Sequence, residues 1–354
     1  MKKIFALILA GLLAVSMVSC GNKEENEENN DESVEVAEDY IEEAKKHGKF
    51  EYKANENGDY EITKYQSYSI TPASITLPKE VNGREIVGIA QEAFKADNSI
   101  KEVTVPETHK YINDYAFYDC DSLTKITLPA GLEEIGIGAF ESCNALADFT
   151  VPASVKVISE FTFKDCIAIT SLDLSNVTTI NKGAFQKCSN LETIKLDKIE
   201  YATKEAFYGC DKLPSIAVPS SVKHLGDCAF ERCSNLKNVY ITDISAWCSI
   251  DFWWPYSNPL SQGGTLYLNN ELVTDLVIPS GITSIANTAF QNCDSIISVS
   301  IPESVTSLGF WTFSDCDNLE SIRYAGTKAQ WEQISKHKDW DADTEGYTIY
   351  CIDG

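Results

Sequence analysis

The sequence predicts a β-rich, mixed α/β solenoid. It should be right-handed and wound in coils of about 23 residues, each carrying a short parallel strand and a one-turn helix. Three observations predict it. The core Ala-Phe-x-x-Cys recurs at Ala116-Phe117…Cys120, Ala139-Phe140…Cys143, Ala184-Phe185…Cys188, Ala206-Phe207…Cys210, Ala229-Phe230…Cys233 and Ala289-Phe290…Cys293. Thr replaces Ala at Thr162-Phe163…Cys166 and Thr312-Phe313…Cys316, and a first copy, Ala93-Phe94, carries Asp97 at the cysteine position. The cysteines step by 23, 23, 22, 22, 23, 60 and 23 residues, a fixed period that means stacked supersecondary units.

Each coil also repeats an apolar template. Counted from the cysteine, an aliphatic residue stands at +3 (Leu123, Leu146, Ile169, Leu191) and others at +6 and +8 (Ile126/Leu128, Leu172/Leu174, Ile194/Leu196). The +6/+8 alternation puts two side chains on one face of a short strand. Proline often follows at +9 (Pro106, Pro129, Pro152) and ends the strand by removing a donor. A second apolar pair, such as Leu132/Ile135, leads back to the Ala-Phe turn. One coil cannot enclose a core, but a stack of them buries a continuous apolar column.

The pattern Cys-x-x-Leu-x-x-Ile-x-Leu-Pro-x-x-Val-x-x-Ile-Gly-x-x-Ala-Phe, running from about Ile75 to Tyr324, resembles the BspA-like (Treponema-type) leucine-rich repeat of bacterial surface lipoproteins. The resemblance implies a leucine-rich-repeat fold. For function it implies a set of surface proteins that includes adhesins contacting host proteins, alongside many members without an assigned role.

In chain order, residues 1–19 read as a secretory signal: Lys2-Lys3, then an apolar run from Ile4 to Val18. That run is shorter than the roughly 20 residues that span a bilayer. Met17-Val18-Ser19-Cys20-Gly21 is similar to a bacterial lipobox, in which Cys20 becomes the lipidated first residue; cleavage and full secretion is the other reading. Residues 20–48 form an acidic tether with eleven carboxylates, which repels itself and has little to bury. The formal net charge of −24 argues against nucleic acid as a partner and against docking on anionic lipid. The membrane is therefore expected to be reached through the lipid anchor alone, at the bacterial cell surface.

Residues 49–78 are expected to form an N-terminal cap, with Asn57-Gly58 as a turn between strands and Ile75/Leu77 as the first rung. Leucine-rich repeats follow over 79–241 and again over 276–324. The 60-residue step hides an insertion, 242–275, that exceeds the period by 37 residues. Its start, around Trp247, parallels the chain's end, around Trp331, so one helix-then-strand unit is expected twice, the second time as the C-terminal cap 325–354. Trp247 and Trp331 are expected in the core. Asn269-Asn270 reads as a tight turn.

Candidate binding residues follow from exposure. The +7 strand positions (Thr104, Thr127, Thr150, Asp173, Lys195, Ala217, Tyr240) read either as a concave binding face, in which Lys195 and Tyr240 would be the contacts, or as a plain soluble surface. The insertion carries the densest aromatic patch, and Trp253, Trp254 and Tyr256 are its candidates for a recognition loop, because Trp and Tyr dominate interface hot spots; packing over the break in the repeat is the competing reading. An extracellular protein or a glycan is the expected partner, bound by a monomer.

Cys120, Cys143, Cys166, Cys188, Cys210, Cys233, Cys293 and Cys316 fall once per coil and are expected as a mostly reduced ladder of buried thiols, with S–H groups available to nearby backbone. Disulfides between adjacent rungs stay within bridging distance, and a bridge from Cys248 or Cys351 is left open. The search for chemistry is otherwise empty. The four histidines are scattered, and no nucleophile elbow, zinc helix or phosphate loop is present. Asp339–Glu345 alternates acids like a calcium loop but lacks its glycine and its bidentate Glu, so a solvated acidic cap is expected. No metal, cofactor or catalytic residue is assigned.

Overall fold

The computed structural model describes residues 49–55, 57–67 and 73–354. The expected signal, the lipidation site Cys20 and the acidic tether lie outside these residues.

The chain is a β-solenoid in which each regular coil contributes to two columns of parallel strands. In the first column, Ser74–Thr76, Glu102–Thr104, Lys125–Thr127 and Asp148–Phe149 pair in sequence order. Ser171–Asp173 with Thr193–Lys195, and Ser215–Ala217 with Asn238–Ile241, continue it. In most rungs the middle residue points inward, as Val103, Ile126 and Leu172 do. The second column is made by the apolar pair that leads back to the Ala-Phe turn. Tyr111–Ile112 pairs with Glu134–Ile135, and Val157–Ile158 with Thr179–Ile180, Tyr201–Ala202, His224–Leu225 and Asp251–Phe252. These bridges are two residues long because only one inward side chain per coil fits before the chain turns again.

The Ala-Phe-x-x-Cys segments fill the single helical turn expected there with consecutive i→i+3 turns. Two residues per coil are left-handed, for example Tyr115 and Asp119 (φ 56° and 61°) or Phe161 and Asp165 (φ 56° and 59°). Alternating right- and left-handed residues point their N–H groups the same way. Tyr115, Phe117 and Asp119 thus donate to the carbonyls of Ile137, Ala139 and Glu141 at 2.8, 2.8 and 2.9 Å. Every coil donates toward the C-terminal end through these turns, so the last coil must be given acceptors. The C-terminal cap supplies them, with the Asp339, Trp340 and Ala342 carbonyls accepting from Trp311, Phe313 and Asp315. Residues 339–345, expected as a solvated acidic cap, therefore close the core: Trp340 is buried edge-on to Phe313, and the Thr344 hydroxyl bonds the Phe313 carbonyl at 2.6 Å.

The phenylalanines form a second ladder. From Phe94 to Phe230 successive rings lie 4.7–5.7 Å apart with interplanar angles of 4–15°, all fully buried. Tyr65 and Phe50 of the N-terminal hairpin extend the stack over the open end. Phe185→Leu keeps an apolar side chain but breaks two stacked contacts and leaves a small void. It should lower stability by about 1.5 kcal/mol, read as a shift of the urea midpoint; no shift would mean that the rings contribute only bulk.

The cysteine Sγ atoms lie inside this column. Cys120, Cys143, Cys166, Cys188, Cys210, Cys233 and Cys316 donate S–H to the carbonyl of the phenylalanine one coil earlier, at 3.0–3.3 Å. All eleven cysteines among the described residues are free thiols, Cys248 and Cys351 included. Burial pushes the thiols of Cys143, Cys166, Cys188, Cys210 and Cys316 up, and takes Cys293 to about 11 and Cys233 to about 12, which keeps them protonated and unreactive at neutral pH.

At the N-terminus, Lys49–Ala54 and Tyr60–Gln66 form an antiparallel hairpin that joins the second column through Arg84–Ile89. The insertion and the C-terminus use one unit twice. The Ile244–Cys248 helix, capped by the Asp243 carboxylate, leads to Thr265–Leu268, which pairs with Asn238–Ile241. The Lys328–Gln333 helix, capped by Thr327 and Gln330, leads to Thr348–Tyr350, which pairs with Ser321–Tyr324. Trp247 and Trp331 are buried. Asn269 and Asn270 are both left-handed and turn the chain into an antiparallel hairpin.

Candidate functional site

The insertion interrupts both strand columns, and the second interruption makes a cleft. Asp251–Phe252 ends one stretch of the second column, and Ser284–Ile285 begins the next, followed by Ser307–Leu308 and Ser335–Lys336. No pairing joins the two stretches. A cleft of about 950 Å³ opens there, lined by Ser249–Phe252, Gly281–Asn287, Ser307–Phe310 and Ser335–Lys338. Its floor is largely hydroxyl and backbone, because Ser284, Ser307 and Ser335 stack in register along the strands.

The loop that crosses the break is held from below by polar side chains. Asn258 is fully buried. Its Nδ2 donates to the carbonyls of Thr288 and Ala289 at 2.6 and 3.2 Å, and its Oδ1 accepts from the Leu260 N–H at 2.9 Å. The buried Trp247 indole N–H donates to the same Ala289 carbonyl at 2.8 Å. In a regular coil that carbonyl accepts from the preceding phenylalanine N–H, as Ala229 does from Phe207. Phe230 instead donates to Tyr256 at 3.3 Å, so two side chains substitute for a missing rung.

Anchored in this way, the loop presents aromatics to solvent. Trp253, Trp254 and Tyr256 are 65%, 53% and 46% exposed. Trp254 lies 6.1 Å from the Phe310 ring, which is 5.8 Å from His337 and 5.3 Å from Trp311. Trp254, Phe310 and His337 therefore make an aromatic wall at one end of the cleft. On the same loop Trp253 lies 6.5 Å from His224, whose Nδ1 is 2.7 Å from the Asp251 carboxylate. The Lys336 ammonium sits over the Trp331 ring at 4.4 Å and donates to the Trp331 carbonyl; burial lowers its pKa.

The structure does not bring all the sequence candidates together. Trp253, Trp254 and Tyr256 share the loop at the cleft. Lys195 and Tyr240 stand on the first strand column, two rungs apart. There Lys195 is paired with Asp197 at 3.0 Å and with Asp173 at 4.0 Å, and Tyr240 stacks on Tyr267 at 4.9 Å. Phe310, His337 and the unpaired strand edges were missed. Phe310 precedes a Thr-Phe repeat core and reads as filler, and the cleft exists only because two distant coils flank the insertion. No cluster of metal-ligating side chains occurs among the described residues, and no described helix is long and apolar enough to cross a membrane.

The coil period, the paired strand columns and the phenylalanine and cysteine ladders define a leucine-rich-repeat solenoid. The sequence model of the BspA type leucine rich repeat region matches residues 87–198, 158–248 and 264–336, more than half of the chain, and the chain belongs to that family. Residues 249–263, which fall between the matched segments, carry the exposed tryptophans. Solved structures to which it is similar include a leucine rich cell surface protein from Faecalibacterium prausnitzii (22% identity, TM-score 0.43, 81% of this chain and 96% of that one). Another is the leucine rich repeat protein of T. pallidum (29% identity, TM-score 0.39, 47% and 88%). A third is the pneumococcal vaccine antigen PcpA (16% identity, TM-score 0.41, 86% and 92%). No curated relative matches the chain.

Proposed function

We propose that this protein is a non-catalytic recognition module, anchored at the bacterial cell surface through lipidated Cys20, that binds an extracellular protein or glycan. One observation carries the reading: a loop anchored by buried Asn258 holds Trp253 and Trp254, 65% and 53% exposed, with Trp254 6.1 Å from Phe310 in the lining of a cleft of about 950 Å³. Leaving such surface in water is unfavourable, and exposed aromatic groups beside a concavity mark interaction sites. Membership of a leucine-rich-repeat family, whose fold presents extended surfaces, supports binding over catalysis. Lys195 and Tyr240 are secondary: internal ion pairing and stacking already occupy their side chains.

The test is binding of the Lys49–Gly354 fragment to a panel of extracellular-matrix proteins and glycans, beside a Trp253→Ala/Trp254→Ala variant. Saturable binding weakened at least about tenfold by the double substitution, the loss of one hot-spot side chain or more, is the expected result. Binding that survives moves the site to the first strand column. No binding by either protein favours the alternative, a structural cell-envelope spacer without a specific ligand.

A further inference from the structure

The two strand edges that face each other across the cleft are chemically complementary to one more strand. In regular coils the second column is sewn together by backbone bonds to the coil before: Lys223 N–H to Glu200 O at 2.8 Å, and Thr306 N–H to Thr283 O at 2.8 Å. Thr283 and Ser284 occupy the donating position of their own coil, yet their N–H groups meet no acceptor among the described residues, and the Ser284 carbonyl meets no donor. Opposite them the Phe252 carbonyl is also unpaired, because Ala286 N–H, which the repeat would direct to it, bonds Cys248 O at 3.0 Å instead. The Phe252 N–H turns back to Ile250 O at 3.1 Å. Thr283 and Ser284 are exposed, so water satisfies these groups in the free protein, and the edge stands ready for exchange. Unpaired strand edges are templates for pairing with another chain. Exposed edges of this kind are normally blunted by proline or lysine, but Gly281-Ile282-Thr283-Ser284-Ile285 carries neither.

We propose that the cleft binds an extended peptide segment of a protein partner by strand addition, parallel to Ser284–Ile285, filling the rung that the insertion left out. This rests on the recognition reading and narrows its ligand to a polypeptide. The peptide's carbonyl accepts from the Thr283 and Ser284 N–H groups, and its next N–H donates to the Ser284 carbonyl. On the other side one of its N–H groups reaches the Phe252 carbonyl. Main-chain bonds of this type supply affinity without regard to sequence, and side chains that alternate along the strand supply the choice. One of those side chains lies against the Trp254–Phe310–His337 wall, which suits an aromatic residue or proline. The remainder lie beside the Ser284 hydroxyl and favour small or polar residues. The cleft is at the upper end of the volume range of small-ligand sites, enough for several residues in extended conformation.

The experiment screens the Lys49–Gly354 fragment against a pool of short synthetic peptides and follows amide hydrogen exchange. The expected result is a selected peptide that slows exchange at Thr283 and Ser284 without altering Phe117 or Phe140 in the core. Methylating alternate backbone nitrogens of that peptide should weaken it about tenfold per lost bond. Ser284→Pro, which removes a donor that has no partner in the free protein, should weaken it similarly. The methylated peptides keep the test valid if Ser284→Pro misfolds. A binder that depends on Trp254 but leaves Thr283 and Ser284 exchange unchanged overturns strand addition and leaves the recognition reading standing. Glycan binding with no peptide binding has the same meaning. If nothing binds from either panel, both readings fall.

Discussion

Replacing Asn258 by leucine should destabilise the protein by about 3 kcal/mol, because the change is close to isosteric and yet leaves one buried N–H without a partner and takes a bond from each of two buried carbonyls. The Leu260 N–H loses its bond of 2.9 Å, the Thr288 carbonyl loses one of 2.6 Å and keeps the Gln291 N–H at 3.1 Å, and Ala289 keeps only the Trp247 indole. None of these groups reaches water, and each orphaned one costs roughly 1–3 kcal/mol. A solenoid transmits such a loss only to nearest neighbours. The effect should therefore appear in the coils after the insertion: amide protection at Phe290 and Phe313 falls, while protection at Phe117 and Phe140 is unchanged. A urea midpoint that does not move would show that the break in the repeat is held by apolar packing alone. Uniform loss along the chain would show that the insertion couples the two arrays rather than capping one of them.

Much of this arrangement could be read in the residues themselves. The 22–23 residue period, the phenylalanine and cysteine columns, the Asn269-Asn270 turn and the twice-used helix-then-strand unit are local patterns repeated often enough to stand out. Two features were not legible. The left-handed residues of each coil are mostly not glycine: Glu92, Tyr115, Phe161, Thr288 and Trp311 all have φ near 55°. Such residues resist that conformation, and bonds to the adjacent coil impose it, so no composition signal marks them. Asn258 likewise looks like one more polar loop residue between Pro255 and Pro259, and only its distance to the Thr288 and Ala289 carbonyls reveals a cap. The aromatic loop is legible because Trp253 and Trp254 are adjacent and the chain has only six tryptophans. The cleft beside it was not, because its walls come from residues about 30 to 90 positions apart in the chain.

In the sequence His109 is one of four scattered histidines, and its place in the fold has a measurable consequence. It occupies the inward position held by Leu132, Val155, Val177, Ile199, Val222, Ile282 and Val305 in other coils. It is fully buried, with Nε2 unpaired and Nδ1 3.3 Å from the Thr108 hydroxyl. Burial lowers its pKa from 6.5 to about 4. The unfolded chain therefore binds a proton on this side chain as pH falls below 6.5, while the folded chain does not until about pH 4. Protonation favours the unfolded state throughout that window, and stability should fall by about 3 kcal/mol between pH 6.5 and 4 from this residue alone. The chain's many exposed carboxylates work in the opposite sense, since neutralising them relieves the repulsion of a net charge of −24. His109→Leu isolates the histidine: it restores the aliphatic residue the repeat uses and should raise the urea midpoint at neutral pH. Relative to the unsubstituted protein, it should also remove a decline confined to pH 6.5–4. Parallel pH profiles for the two proteins would mean that water or a shifted neighbour solvates the imidazole. A steeper decline in the variant would mean that His109 is held charged, opposite to what its surroundings dictate.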